Sequence, residues 1–71
     1  MGKIKVIHDL TGRTLTVWLD DPSKEASCQE TTDEVVLIKD AQDKVIGFEM
    51  LNVAEGTGKA LEVETVVQGA A

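Results

Sequence analysis

Alternation of apolar and polar side chains predicts that this chain begins with two β-strands. Residues 3–8 and 13–19 both follow a period of two and are rich in β-branched side chains, a pattern typical of strands with one face turned to a core. In the second segment, Leu15 and Val17 share one side and Trp18 lies on the other. Trp18 is therefore expected on the second face of the sheet, away from the main core.

Two further strands are predicted in the middle of the chain. Residues 34–39 form a continuous apolar run of strand length, which suggests a strand covered on both faces. Residues 44–51 return after a polar hairpin loop at residues 40–43. Gly47 interrupts the returning strand, and a glycine inside a strand marks a bulge or the close approach of another backbone. We expect one of these features at Gly47.

Turn-forming residues set the limits of the first hairpin. An aspartate opens and a glycine closes the loop at residues 9–12, which suits a type I turn followed by a bulge in which Gly12 has a positive φ. Pro22 has no N–H to donate to a neighbouring strand. The second strand should therefore stop by Asp21.

The remaining segments leave the strand count at five or six. Residues 26–32 are compatible with a brief edge strand or with an irregular return, and the β-branched side chains of residues 59–67 favour a final strand over a helix. The chain is thus predicted to be a single domain, residues 1–71, of the all-β or mainly β class. Its expected architecture is a small antiparallel meander, either open or curved into a half-barrel.

The small size of the chain favours self-association. A domain of 71 residues buries only about 60% of the surface that its unfolded chain exposes, and such domains usually need a disulfide, a metal or a partner for stability. One cysteine and one histidine can form neither an internal disulfide nor a four-ligand zinc site. We therefore expect a homo-oligomer without a cofactor.

The second face of the predicted sheet offers a contact for that oligomer. A tryptophan on such a face can anchor an interface, and further apolar residues share its phase. In the alternative, the sheet curls and buries Trp18 inside the domain. The predicted interface residues are Trp18, Ile7, Val36 and Ile38.

Charge adds an acidic surface to this picture. The net charge is -6, and residues 20–34 contain six carboxylates and one lysine. A polyanion would be repelled and would find no basic stripe, so nucleic-acid binding is not expected. An acidic chain can instead neutralise a basic protein partner, as antitoxins do. The acidic surface predicted for that alternative consists of Asp20, Asp21 and Glu25.

The titratable residues predict neither an enzyme nor a metal site. A lone His8 at a strand end is ordinarily a surface residue rather than a general base, and Cys28 lies near Glu30, which opposes thiolate formation. The clustered carboxylates of residues 20–25 do not follow the spacing of a calcium loop. Glu49 is flanked by apolar residues, but on a strand it faces solvent or pairs with a neighbouring lysine.

The hydropathy of the chain predicts a cytoplasmic protein. No apolar run approaches the ~20 residues that cross a bilayer. The basic start of the sequence reaches a charged residue too early for a signal peptide. We therefore expect no contact with a membrane.

Residues 9–54 resemble a small bacterial family. A turn at Asp9 precedes the strand at residues 14–19, a Val/Ile-rich strand follows at residues 35–38, and Gly-Phe-Glu-Met-Leu-Asn occupies residues 47–52 after an acidic turn. In this order of features the chain is similar to the family called domain of unknown function 2283. The resemblance supports the strand layout and implies no activity, because the family is itself uncharacterised.

Overall fold

The computed structural model describes residues 3–53 and 62–69 and shows a small all-β fold. Its strands form one open antiparallel sheet in the order β1-β2-β5-β4-β3. The predicted all-β antiparallel architecture is confirmed. The sheet is not closed into a barrel, and β1 and β3 are its two edges. The strands are β1 (Lys5–Asp9), β2 (Thr14–Trp18), β3 (Ser27–Glu30), β4 (Val35–Lys39) and β5 (Val45–Met50).

The strand order combines two locally connected units. β1 and β2 form one hairpin, and β3, β4 and β5 form a meander. β2 pairs with β5, so the connection at residues 19–26 crosses the ends of β5 and β4 to reach the far edge. Read backwards from β5, this is a Greek-key connection. It contains a 3₁₀ turn, Pro22–Lys24, in which the Ser23 N–H donates to Asp21 Oδ1 at 2.9 Å.

The first hairpin loop differs from the prediction. Gly12 does not have a positive φ; Arg13, the last loop residue before Thr14, takes φ 58 instead. The loop between the paired residues Asp9 and Thr14 has four residues. Its last residue, Arg13, has the left-handed backbone conformation predicted for its third residue, Gly12. A Cβ at position 12 would lie 2.9 Å from Asp9 Oδ2, so any larger residue there would require the Asp9 side chain to turn aside. The Gly12 N–H donates to the same carboxylate at 2.9 Å.

The strand limits confirm most of the predicted boundaries. β2 ends before Asp21, and the strand alternative for residues 26–32 is confirmed as β3. The predicted final strand is wrong for residues 62–67, which have no regular secondary structure, and residues 59–61 lie outside the described part. Strand propensity mainly reflects packing against neighbouring strands. Residues 62–67 are exposed and have no such neighbour among the described residues.

Gly47 combines both features predicted for it. The pairing register of β4 and β5 shifts between Ile38 and Lys39. Ile38 pairs with Gly47 and Lys39 pairs with Val45, so Ile46 is left without a partner in β4. A Cβ on Gly47 would lie only 2.8 Å from the carbonyl oxygen of Val17. The β2 backbone therefore leaves no room for a side chain at position 47.

The sheet is a single layer with a very small core. Among the described residues, the only buried apolar side chains are Ile38, 6% exposed, and Ile46, 0% exposed. Residues 34–39 are predicted from the sequence to be covered on both faces. The described residues do not provide that cover, as the mostly half-buried side chains of β4 show. Within residues 3–53 and 62–69, both faces of the sheet therefore lack a covering layer.

Candidate interaction surfaces

Cross-strand pairing assigns the strand residues to two faces. Residues paired directly across an antiparallel sheet point to the same side. We name each face after its largest side chain. The Phe48 face consists of Val6, His8, Leu15, Val17, Ser27, Gln29, Val35, Leu37, Lys39, Phe48 and Met50, and the Trp18 face of Lys5, Ile7, Asp9, Thr14, Thr16, Trp18, Cys28, Glu30, Val36, Ile38, Gly47 and Glu49.

The Phe48 face is a continuous apolar surface. Two rows of directly paired side chains cross its three inner strands. Its polar members lie in the two edge strands and at Lys39, the last residue of β4, whose Nζ donates to Gln29 Oε1 at 2.5 Å. No second sheet or helix among the described residues covers it. Met50 is 39% exposed and Val6 36% exposed. The rows in β2, β5 and β4 are Leu15–Met50–Val35 and Val17–Phe48–Leu37.

The Trp18 face contains all four residues predicted as an interface. Ile7 is 41% exposed, Trp18 and Val36 are half-buried, and Ile38 is buried. One edge of the Trp18 indole ring lies beside Gly47, because a Cβ added to Gly47 would be 3.2 Å from Trp18 Cε3. The centre of this face is more polar than that of the Phe48 face, because the central strands also place Thr16 and Glu49 on it.

A groove of about 670 Å³ opens beside Trp18. Sequence reasoning missed this site, because its walls come from β1 and the residues before it, the end of β2 and the connection that follows, and the loop before β5. One signal was available: in the hairpin register Lys5 pairs directly with Trp18. The groove is lined by Lys3, Lys5, Trp18, Leu19, Asp20, Asp21, Pro22 and Lys44.

The three residues of the predicted acidic surface lie in the connection between β2 and β3, and each is held by a local hydrogen bond. Asp20 Oδ1 accepts from the Asp21 N–H at 2.7 Å and lies 3.3 Å from Lys24 Nζ. These contacts lower the pKa of Asp20, the backbone hydrogen bond most strongly. The Ser23 N–H lowers the pKa of Asp21 in the same way. Both aspartates are therefore fully ionised at neutral pH.

Cys28 is held as a neutral thiol. Its Sγ donates to Glu25 Oε2 at 3.1 Å, and this hydrogen bond is the main reason that the pKa of Cys28 is raised. A raised pKa opposes nucleophilic chemistry, which requires the thiolate. The inert role expected of Cys28 stays a prediction.

The other titratable candidates do not converge on one site. His8 belongs to the Phe48 face, whereas Glu49 and Cys28 belong to the opposite face. The Asn52 side chain donates a hydrogen bond to Glu34 Oε1 at 3.0 Å and not to Glu49. Within residues 3–53 and 62–69, no group of three His, Cys, Asp or Glu side chains is placed to hold a metal ion.

Comparisons with known proteins give no information about the function of the two faces or of the groove. No family model, curated protein or solved structure matches the chain. The resemblance to the domain of unknown function 2283 family thus stays a prediction. Among the helices of the described part, none is long and apolar enough to cross a membrane.

Proposed function

We propose that this protein is a small assembly module that associates with further copies of itself through the Phe48 face. The observation that carries this proposal is a single-layer sheet with one continuous apolar face and only two buried apolar side chains among the described residues. Burial of apolar surface is the main favourable contribution to folding and association. A second copy supplies the missing layer.

The dimensions of the sheet suit face-to-face packing. Strands about 4.8 Å apart and residues about 3.4 Å apart along each strand give a five-stranded face of roughly 24 by 17 Å. Two such faces pack about 10 Å apart in a β-sandwich. Stable interfaces bury about 800 Å² per partner, roughly twice the flat area of this face, so the contact must use the whole face and the loops around it. Polar substitutions near its centre are then expected to abolish association.

Charge favours the Phe48 face over the Trp18 face as the contact between identical chains. In a two-fold dimer the same patch meets itself. The Phe48 face as defined above contains no carboxylate, whereas Glu49 sits near the centre of the Trp18 face and would be brought towards its own copy. The predicted contact through Trp18, Ile7, Val36 and Ile38 is therefore the second candidate surface.

Two neighbouring residues of β4 provide a matched test. Leu37 belongs to the Phe48 face and Val36 to the Trp18 face, and both are half-buried. Size-exclusion chromatography with light scattering across the micromolar range is expected to show a mass above the 7.6 kDa of one chain. Leu37→Lys should give a monomer, and Val36→Lys should remain associated. Leu37→Thr and Val36→Thr, which place the same strand-favouring β-branched residue at both positions, repeat the comparison if a lysine prevents folding.

The outcomes of this test separate the two surfaces. Loss of association in the Val36 variants alone would transfer the contact to the Trp18 face. A wild-type chain that is folded and monomeric throughout the range would overturn the assembly proposal for both faces.

The acidic alternative, binding to a basic protein, relies on Asp20, Asp21 and Glu25. Their position in one connection, where Asp21 and Glu25 are exposed and Asp20 is half-buried, supports it. It is less favoured, because each carboxylate already accepts a hydrogen bond from its own loop. Such a complex would have to share these oxygens or break the bonds that order the connection.

A further inference from the structure

The groove beside Trp18 combines an aromatic wall with apolar and cationic side chains. Trp18, Leu19 and Pro22 supply its apolar lining, and Lys5 stands opposite Trp18 in the β1–β2 pair. The volume of about 670 Å³ falls within the range of about 300–1,000 Å³ that is usual for small-molecule sites. The groove therefore has both the size and the mixed lining of a ligand site.

The charge inside the groove is opposite to that of the whole protein. The chain contains seven lysines and arginines and has a net charge of -6, yet three lysines line this one groove. Among the described residues, Lys3, Lys5 and Lys44 form no ion pair. Three ammonium groups are thus available to an anion.

The two aspartates of the lining cancel only part of this charge, since three lysines against two carboxylates leave the lining with a net charge of +1. Asp20 is paired with Lys24 and also accepts from the Asp21 N–H. Asp21 accepts from the Ser23 N–H. Both carboxylates stay ionised, and Lys44 acts on Asp20 through its charge. The hydrogen bonds hold the two carboxylates within their own loop, so the lysines remain the groups that can bind an anion.

Trp18 is a well-supported surface for stacking. The ring edge at Cε3 lies close to Gly47, where even a methyl group would be 3.2 Å away, and the residue is half-buried. Flat rings stack on an indole with a gain that does not depend on a particular hydrogen-bond pattern. A planar ring on Trp18 would place an attached anionic group near the lysines.

We propose that this groove binds a small molecule that joins a planar aromatic ring to an anionic group, either a phosphate or a carboxylate. The lysines hold the anion, and Trp18 with Leu19 and Pro22 holds the ring. The groove opens beside a residue of the Trp18 face, opposite the Phe48 face, so the site does not depend on the proposed assembly. Binding and association are separate measurements, and either can fail alone.

The test uses the Trp18 indole N–H signal in a ¹H–¹⁵N spectrum of the full chain at low salt, because Trp18 is the only tryptophan. Adenosine 5′-monophosphate and 2-naphthoate are the two ring-bearing anions, and they distinguish phosphate from carboxylate. Adenosine and inorganic phosphate supply the ring and the anion separately. We expect saturable shifts with at least one ring-bearing anion and about tenfold weaker binding of each separate part.

Lys5→Gln and Lys39→Gln form a matched pair of variants. Both remove one positive charge, but Lys39 lies outside the groove and faces Asp43 at 3.4 Å. Lys5→Gln is expected to weaken binding about 5–10-fold, and Lys39→Gln to leave it unchanged. Equal weakening in both variants would mean that only net charge attracts the anion. That result, or a Trp18 signal that no ring-bearing anion shifts at millimolar concentration, would overturn the proposal.

Discussion

Replacing Gly47 by alanine would measure how closely β2 and β5 approach each other. The added Cβ would lie 2.8 Å from the Val17 carbonyl oxygen, 3.2 Å from Trp18 Cε3 and 3.6 Å from Ile38 Cδ1. The nearest neighbour is backbone and cannot rotate away, so the two strands would have to separate. Overpacking of this kind costs about 1–3 kcal/mol.

Alanine also restricts the unfolded chain, which stabilises the folded state by about 0.4–1 kcal/mol. The net expectation is a loss of about 1–2 kcal/mol in the free energy of unfolding. In a strand without the close contact, the same substitution would be stabilising, because glycine is unfavourable within strands. The sign of the change thus reports on the contact itself.

Gly12→Ala is the matched control. Its added Cβ would lie 2.9 Å from Asp9 Oδ2, the end of a side chain that can turn aside. Turning would weaken the hydrogen bond from the Gly12 N–H, worth about 0.5–1.5 kcal/mol, while the gain from the unfolded chain is the same as at position 47. We expect a net change below about 1 kcal/mol.

Urea unfolding followed by the fluorescence of Trp18 gives both free energies. The measurements should be made at matched protein concentrations, since association stabilises the folded state. A Gly47→Ala variant as stable as the wild type would refute the inference from the backbone contact. Equal losses in the two variants would show that alanine is simply poorly tolerated in this small sheet.

Two further predictions concern the acidic connection. Because local N–H donors lower the pKa of Asp20 and Asp21 below 3.8 in the folded chain, their contribution to stability is complete above that value and is lost as pH falls through the lowered values. The urea midpoints of the wild type and of the double variant Asp20→Asn/Asp21→Asn should therefore differ less at strongly acidic pH than at neutral pH. A difference that stays constant with pH would contradict the lowered pKa values. Because Glu25 raises the pKa of Cys28, Glu25→Gln should speed alkylation by iodoacetamide at mildly alkaline pH; equal rates would show that the thiol hydrogen bond is absent in solution.

Local patterns in the sequence carried most of the information about individual strands. Period-two alternation located β1 and β2, and the apolar run and its polar loop located β4 and β5, with ends that differ by one or two residues. β3 consists of Ser-Cys-Gln-Glu and has no apolar alternation, which is why the sequence left two alternatives for it. Residues 62–67 show the opposite case, because β-branched side chains favour a strand but cannot supply the neighbour that a strand needs.

Features that depend on distant pairing were beyond the sequence. Nothing local indicates that β2 lies beside β5, and this pairing forms the crossing connection and the close approach at Gly47. The groove arises in the same way, since Lys44 joins Lys5 and Trp18 only after β5 is placed next to β2. The position of the left-handed residue at Arg13 likewise depends on where pairing resumes after the loop.

The crossing connection also bears on how the chain can misfold. Each of the two hairpin units closes locally, whereas the β2–β5 seam forms only after a long stretch of chain is brought together, at a cost in loop-closure entropy. Before that seam closes, β2 and β5 are both free edges. At high concentration the β5 of one molecule can then dock on the β2 of another, with residues 19–26 as the hinge. This topology therefore favours domain swapping, in which two chains exchange the β1–β2 hairpin.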